Sequence, residues 1–307
     1  MTGADGFVGG WLVGHLEASG DTAWQAVGLH AEESERRRRL ELLDRSLVDD
    51  VVAWANPHAI FHLAAVAYGP DASTDIAAAI DVTVRGTAYL LEAASRMPDP
   101  PLVLIPSSSE AYGVVDGRPI REDHVLAPVS LYGATKVSQE MLGLAYHRAG
   151  RVPVTVARAF NHIGPGQRPA FVVSDFASQL AAIHQGSRDR TVHVGNLQAA
   201  RDFTDVRDVV RAYRLLVGAR AAGEAYNVAS GRAVRIEAIL NQLIQMSGLA
   251  VDVMVDPRRF RPVDVPVVRG SAARLRARTG WRPEVPFRST LRDVWADAVE
   301  RARGGGA

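Results

Sequence analysis

The chain has 307 residues, enough for two domains of roughly 150 residues or for one large α/β unit with an appendage. It contains no cysteine, which excludes a disulfide framework, a Cys-ligated metal centre and a thiol nucleophile. The 35 Lys+Arg and 34 Asp+Glu nearly cancel, so no net field attracts nucleic acid. No apolar run has bilayer length and none forms a signal peptide, so the expectation is a soluble, cytoplasmic protein.

The chain opens on Thr2-Gly3-Ala4-Asp5-Gly6-Phe7-Val8-Gly9-Gly10, a glycine turn that leads into a helical pattern over residues 8–19. Only Met1 precedes this turn, where a strand of about five residues is expected; the anticipated explanation is a start site further upstream. Near-continuous apolar runs then predict strands at 23–29, 59–64, 102–106 and 154–160, the pattern of a sheet covered on both faces. Between them, helices are predicted at 47–55, 74–95 and 132–149. This alternation gives an α/β fold with a doubly wound parallel sheet. Beyond Phe160, prolines interrupt shorter elements, with helices expected at 171–184, 206–217, 235–247 and 289–302 and a frayed tail from Arg301. The expected division is a dinucleotide-binding unit over 1–160, with returning segments near 196–230, and a smaller substrate lobe within 161–303.

Three segments carry chemistry. Gly3, Gly6 and Gly9 permit a tight turn and close approach of backbone amides to a pyrophosphate at a helix N-terminus. Tyr132 and Lys136 stand four apart and share a helix face. Opposite charges about 4 Å apart gain roughly 4 kcal/mol at an effective dielectric near 20. That is roughly three pKa units, so the ammonium is expected to pull the phenol from about 10 towards neutrality. Ser107-Ser108-Ser109-Glu110-Ala111-Tyr112-Gly113 follows an apolar strand, and its hydroxyls should border the cleft at the strand's carboxyl end.

The run Glu32-Glu33-Ser34-Glu35-Arg36-Arg37-Arg38-Arg39 is by default a solvated face. It also lies where such folds meet the adenosine ribose, and the strand before it ends in His30 rather than Asp. Arginines there, Arg36 first, favour NADP over NAD. The nine histidines show no metal-ligand spacing; His62 and His162 are expected to be structural, and Trp281 to anchor a C-terminal loop.

Taken in order, the glycine turn, His62-Leu63-Ala64-Ala65, the serine loop and Tyr132-x-x-x-Lys136 resemble the extended short-chain dehydrogenase/reductase (epimerase/dehydratase) family. The resemblance runs over nearly the whole chain. The blocks Phe160-Asn161-His162-Ile163-Gly164-Pro165-Gly166-Gln167, Phe171-Val172-Val173-Ser174-Asp175-Phe176-Ala177 and Arg201-Asp202-Phe203-Thr204-Asp205 look like the branch acting on GDP-6-deoxy-hexoses. Within that branch the chain is most similar to the GDP-6-deoxy-D-mannose reductases.

The resemblance implies that Gly3, Gly6 and Gly9, with the amides of Phe7 and Val8, hold the cofactor pyrophosphate. It places Leu42, in Glu41-Leu42-Leu43-Asp44, beside the adenine, and Ala64, Ala65 and Ala67 on the nicotinamide side. Ser108, Tyr132 and Lys136 match the catalytic set, with Glu110 at the position of the dehydratases' base. Asn161, Val172, Arg201, Arg261 and Asp264 match substrate-binding positions. The implied cofactor is NADP, with NAD as alternative. The implied substrate is a GDP-4-keto-6-deoxy-hexose reduced to a product such as GDP-D-rhamnose, and the implied assembly is a homodimer packed through helices 74–95 and 132–149. The alternatives are a GDP-mannose 4,6-dehydratase, another nucleotide-sugar epimerase or reductase, and a dinucleotide sensor without chemistry. One departure is Thr83, where relatives carry Asn beside the catalytic lysine.

Overall fold

The computed structural model describes residues 1–304 other than 22, 68 and 261–264. Its first half is a parallel sheet. Strands β1 (Ala26–Gly28) and β2 (Arg37–Arg39) pair in parallel, and β3 (Ala59–Phe61), β4 (Leu102–Ser108), β5 (Val154–Ala159) and β9 (Ala225–Val228) form a second parallel set in that order. Side chains alternate across the strands. On β4, Val103 and Ile105 join a core with helices α2 (Arg45–Ala55) and α5 (Gly86–Ser95), whereas Leu104 faces α1 (Phe7–Ala18) and α8 (Val206–Gly218). Both faces are covered, which explains why the strands read as unbroken apolar runs.

The two sets of strands meet through the first residues of the chain, with Thr2 bridged in parallel to both Val27 and His62. Its amide donates to the Phe61 carbonyl at 2.9 Å, and the Met1 carbonyl accepts from Val27 at 2.9 Å. Beside this seam lies a cavity of about 990 Å³, lined by Trp24, Val27, Ile60 and Phe61 among others.

The helix expected over 74–95 is interrupted. Asp75 caps α4 (Ile76–Ile80) by accepting from the Ala78 amide at 2.9 Å, and a π-helical turn, Asp81–Arg85, joins α4 to α5. A short helix, α3 (Gly69–Thr74), precedes them. The wider turn has identifiable causes, two of them tertiary. Thr83 Oγ1 accepts from the Val66 amide, Thr87 donates to the Thr83 carbonyl, and Gly86 lies against Leu42, whose Cδ2 would sit 2.5 Å from an added Cβ. π-turns of this kind concentrate at functional sites. Helix α6 (Leu131–Arg148) runs alongside.

The second lobe is built on β8 (Ala200–Asp205), which pairs in parallel with β6 (Asn161–Ile163) and β12 (Val267–Val268) and antiparallel with β10 (Ala233–Arg235). A further pair, β7 (Thr191–Val194) and β11 (Asp252–Val255), is parallel. Helices α7 (Val172–His184), α9 (Ile236–Ser247) and α11 (Phe287–Gly304) close over one apolar cluster. Helix α10 (Ala273–Thr279) instead packs with α8, and the buried Trp281 anchors there, its indole N–H donating to the Asp208 carbonyl at 2.9 Å. The tail expected to fray from Arg301 stays helical to Gly304, held by an Arg301–Asp297 pair at 2.6 Å.

Candidate active site

The glycine turn forms a cradle that side chains would fill. Gly3 adopts φ +68°, and a Cβ there would lie 2.7 Å from the Ala64 amide nitrogen; at Gly9 it would lie 2.2 Å from the Gly3 carbonyl oxygen. Gly6 precedes α1 in extended conformation with no side-chain cap, so the first-turn amides, Phe7 and Val8 among them, have no capping acceptor. An uncapped, glycine-walled helix start fits the pyrophosphate of a dinucleotide. The Phe7 ring stacks on His162 with centroids 6.2 Å apart, which brings this helix start against β6 and Asn161. Ala64 and Ala65 are half-buried and Ala67 is exposed in the segment after β3, next to Gly3.

Two cofactor expectations change. Leu42 is buried in the sheet core against Gly86, so its side chain serves packing and only its backbone is left for a ligand. Arg36 lies at the wrong end of the strand. The Ala26 amide donates to its carbonyl at the start of β1 and β2, whereas the glycine turn meets the other end, where Asp5 crowds Gly28. Its guanidinium sits 5.3 Å over the Trp24 ring. The segment from Leu29 to Arg36 crosses back along the strand before β2 begins, which carries the arginine away from the ribose end.

The catalytic candidates converge at the carboxyl end of β4. Ser108, the last residue of β4, accepts from the Glu110 amide at 3.1 Å, and its hydroxyl lies near enough to the Tyr132 phenol to favour the phenolate. Glu110 lies in the 3₁₀ turn Ser109–Tyr112, and its carboxylate accepts from Ser130 Oγ at 2.6 Å. Ser130 in turn caps α6, accepting from the Gly133 amide at 3.0 Å. Gly133 is required at this crossing, since a Cβ would lie 2.7 Å from the Glu110 carbonyl oxygen. Serine loop, cap and first turn of α6 are thus one hydrogen-bonded unit that presents Tyr132.

Lys136, one turn further along α6, is buried. Burial lowers its pKa to about 7, opposed by the Glu140 carboxylate. The Tyr132 phenol is not drawn towards neutrality as the spacing suggested. Burial, followed by the nearby Glu110 carboxylate, pushes it above its ordinary value, and the neighbouring Ser108 hydroxyl only partly offsets this. That expectation counted only the attraction between the pair and left out desolvation, and burial penalises phenolate and ammonium alike. The consequence is a phenol that keeps its proton at neutral pH, the form a general acid requires.

The substrate candidates stand on the second lobe. Asn161 opens β6 opposite Phe203 of β8, and Val172 begins α7, half-buried. Arg201 on β8 donates to the carbonyls of Ala200 at 2.9 Å and Val265 at 2.6 Å. Arg261 and Asp264 lie outside the described residues. Among the described residues no group of His, Asp or Glu could hold a metal ion, and no helix is long and apolar enough to cross a membrane.

Sequence reasoning missed two buried networks around α6. Glu140 pairs with Arg158 of β5, which also donates to the Tyr112 hydroxyl at 2.9 Å, and that hydroxyl donates to Asn227 Oδ1 at 2.6 Å. On the other side Lys136 donates to Gln139 Oε1 at 2.6 Å, and Gln139 contacts Thr87 and through it His62. The available signal was Gln139 and Glu140 on the inward face of α6, three and four residues after the lysine, where an apolar pattern would be expected.

The family model described as GDP-mannose 4,6 dehydratase matches residues 1–294. The GDP-6-deoxy-D-mannose reductase of Pseudomonas aeruginosa is 35% identical over 306 residues, covering 99% of this chain and 97% of that protein. A GDP-mannose 4,6-dehydratase of Sinorhizobium fredii is 25% identical over 290 residues, covering 86% of this chain and 81% of its own. Among solved structures, RMD from Pseudomonas aeruginosa complexed with NADPH superposes with a TM-score of 0.85 at 34% identity, over 97% of this chain and 98% of that one. UDP-glucose 4-epimerase of Thermus thermophilus in complex with NAD gives 0.84 at 27% identity, over 99% and 98%. Glycine cradle, Ser108–Tyr132–Lys136 set and full-length similarity agree: the chain belongs to the GDP-mannose 4,6-dehydratase family of extended short-chain dehydrogenases/reductases.

Proposed function

We propose that this enzyme reduces the C4 ketone of a GDP-4-keto-6-deoxy-hexose with NADPH. The observation that carries the reading is the convergence of Ser108, at the carboxyl end of β4, with Tyr132 and, a turn further along α6, the buried Lys136. The cradle of Gly3, Gly6 and Gly9 would hold the cofactor pyrophosphate, with the Phe7 and Val8 amides as donors and Ala64 and Ala65 beside the nicotinamide ribose. NADPH, when bound, supplies the hydride. As negative charge develops on the sugar O4, Tyr132 hands over its proton and Ser108 hydrogen-bonds the same oxygen, a contribution of about 3 kcal/mol for a preorganised donor. The Lys136 ammonium holds the ribose hydroxyls and stabilises the phenolate that remains. Asn161, Val172 and Arg201 would bind the nucleotide sugar. The two long helices flanking this site, α4–α5 and α6, expose Ile80 and Met141 and would pack a homodimer about a two-fold axis.

The dehydratase reading has one observation in its favour, the Glu110 carboxylate close enough to Tyr132 to raise its pKa. That carboxylate already accepts from Ser130, which caps α6. A group so used suits a structural role better than that of a base that must gain and lose a proton. The test is stoichiometric. With GDP-4-keto-6-deoxymannose the enzyme should consume one NADPH per sugar reduced. With GDP-mannose and catalytic cofactor, dehydration with no net absorbance change would overturn the reductase reading.

A further inference from the structure

The geometry points to Gln139 as a positioning residue that, clamped by Thr87 and His62, holds the Lys136 ammonium in place for the cofactor. This rests on the reductase reading for the role of Lys136 but on separate atoms.

The hydrogens of the network can be assigned one by one. The Thr87 hydroxyl has a single proton and donates it to the Thr83 carbonyl, 2.6 Å away. Its oxygen must therefore accept from both other neighbours, Gln139 Nε2 at 2.9 Å and His62 Nε2 at 2.9 Å. His62 thus carries its proton on Nε2. Its bare Nδ1 accepts from the Thr2 hydroxyl at 2.8 Å, and Thr2 Oγ1 accepts from the Ala64 amide at 3.2 Å. Burial, then the positive charge of Lys136, lowers the His62 pKa to about 3, so the ring stays neutral in this arrangement.

With Nε2 committed to Thr87, Gln139 can present only its carbonyl oxygen to Lys136, at 2.6 Å. A flipped amide would set NH₂ against NH₃⁺ and leave Thr87 without a donor. Every member is buried, Gln139 and Thr87 completely, so no water replaces a lost partner. The Thr83 hydroxyl, on the π-turn below Thr87, is itself engaged, accepting from the Val66 amide, and support for the lysine comes from its own helix.

The other charged or titratable groups about Lys136 are Tyr132 and Glu140 on α6, His62 after β3, and Glu110 beside Tyr132; Glu140 is paired with Arg158. Gln139 adds a directed acceptor to the protonated amine that none of these supplies.

The test is NADPH binding, followed by fluorescence from pH 5.5 to 9.5 without sugar, alongside kcat against pH. In the native protein, affinity should fall as pH rises through the Lys136 transition near 7. In Gln139→Leu the ammonium loses its acceptor, so that transition should move down by about one pH unit, weakening NADPH about tenfold above it. In Gln139→Glu a carboxylate replaces the amide, and the transition should move up. Thr87→Val, which frees the amide to turn, should shift it as Gln139→Leu does but less. If Gln139→Leu fails to fold, Gln139→Glu, nearly isosteric, carries the test alone. Variants that lower Tm while leaving the pH transition in place would overturn the inference and make Gln139 a packing residue. A native protein that binds NADPH with this transition yet reduces no nucleotide sugar would instead overturn the reductase reading and leave the role of Gln139 standing.

Discussion

Helices α6 and α7 have comparable roles in their lobes but opposite interiors. The inward face of α7 buries Val173, Phe176, Ala177, Leu180 and Ile183 against α9 and α11. The inward face of α6 buries Thr135, Lys136, Gln139 and Glu140, and its only other buried members are glycines. Apolar burial stabilises by roughly 25 cal/mol per Å², so α7 is a source of stability. Buried charges cost several kcal/mol each unless fully paired, so α6 is at best neutral. Every buried polar side chain on α6 accordingly has a partner: Thr135 the Tyr132 carbonyl, Lys136 Gln139, and Glu140 Arg158. Helix α7 holds its place mainly by packing, and α6 holds chemistry by matched polar contacts.

The difference can be tested from both sides. Tyr132→Phe should lower kcat by about 10²–10⁴, the usual worth of a positioned acid, with NADPH affinity and Tm unchanged because the phenol lies at the end of its network. Full activity in this variant would remove Tyr132 as the acid. Glu140→Gln leaves the Arg158 guanidinium buried without its counter-charge and should cost about 3–5 kcal/mol in urea unfolding. A cost below about 1 kcal/mol would mean that Tyr112 and the Glu122 carbonyl suffice to satisfy Arg158. Leu180→Ala on α7 should cost about 2–5 kcal/mol by opening a cavity, yet leave kcat at saturating substrate as it was. A drop in kcat there would show that the second lobe's packing reaches the reacting atoms.

The same contrast explains what the sequence revealed. The parallel sheet was legible because strands such as β4 and β5 are buried on both faces and read as plain apolar runs. Helix α7 was legible for the same reason. The second lobe's sheet was not, because its strands are two to six residues long and β8 pairs with segments about 40 residues before it and 30 to 70 after it, which no local pattern encodes. The π-turn in the helix after Asp75 escaped detection because its causes are tertiary: the Val66 amide and the Leu42 side chain. Within the site, Ser108, Glu110, Tyr132 and Lys136 could be named from spacing, but their protonation could not, since burial set it. Arg36 was misplaced because a basic run says nothing about which end of a strand it will occupy.

The smallest expected effect lies where the two helices begin. Helix α7 opens at Phe171 with no side-chain cap, whereas α6 opens at Ser130, which both caps the helix and holds Glu110. Ser130→Ala should therefore cost about 1 kcal/mol in stability, as cap deletions do. It should also reach the rate, since the Glu110 carboxylate loses the Ser130 donor that helps set its position relative to the phenol. A fall in kcat of only a few-fold alongside the lost stability is the expected outcome, measured by thermal unfolding and NADPH oxidation on the same preparation. Stability loss with an unchanged rate would show that other contacts fix Glu110, and that cap and acid are neighbours without being coupled.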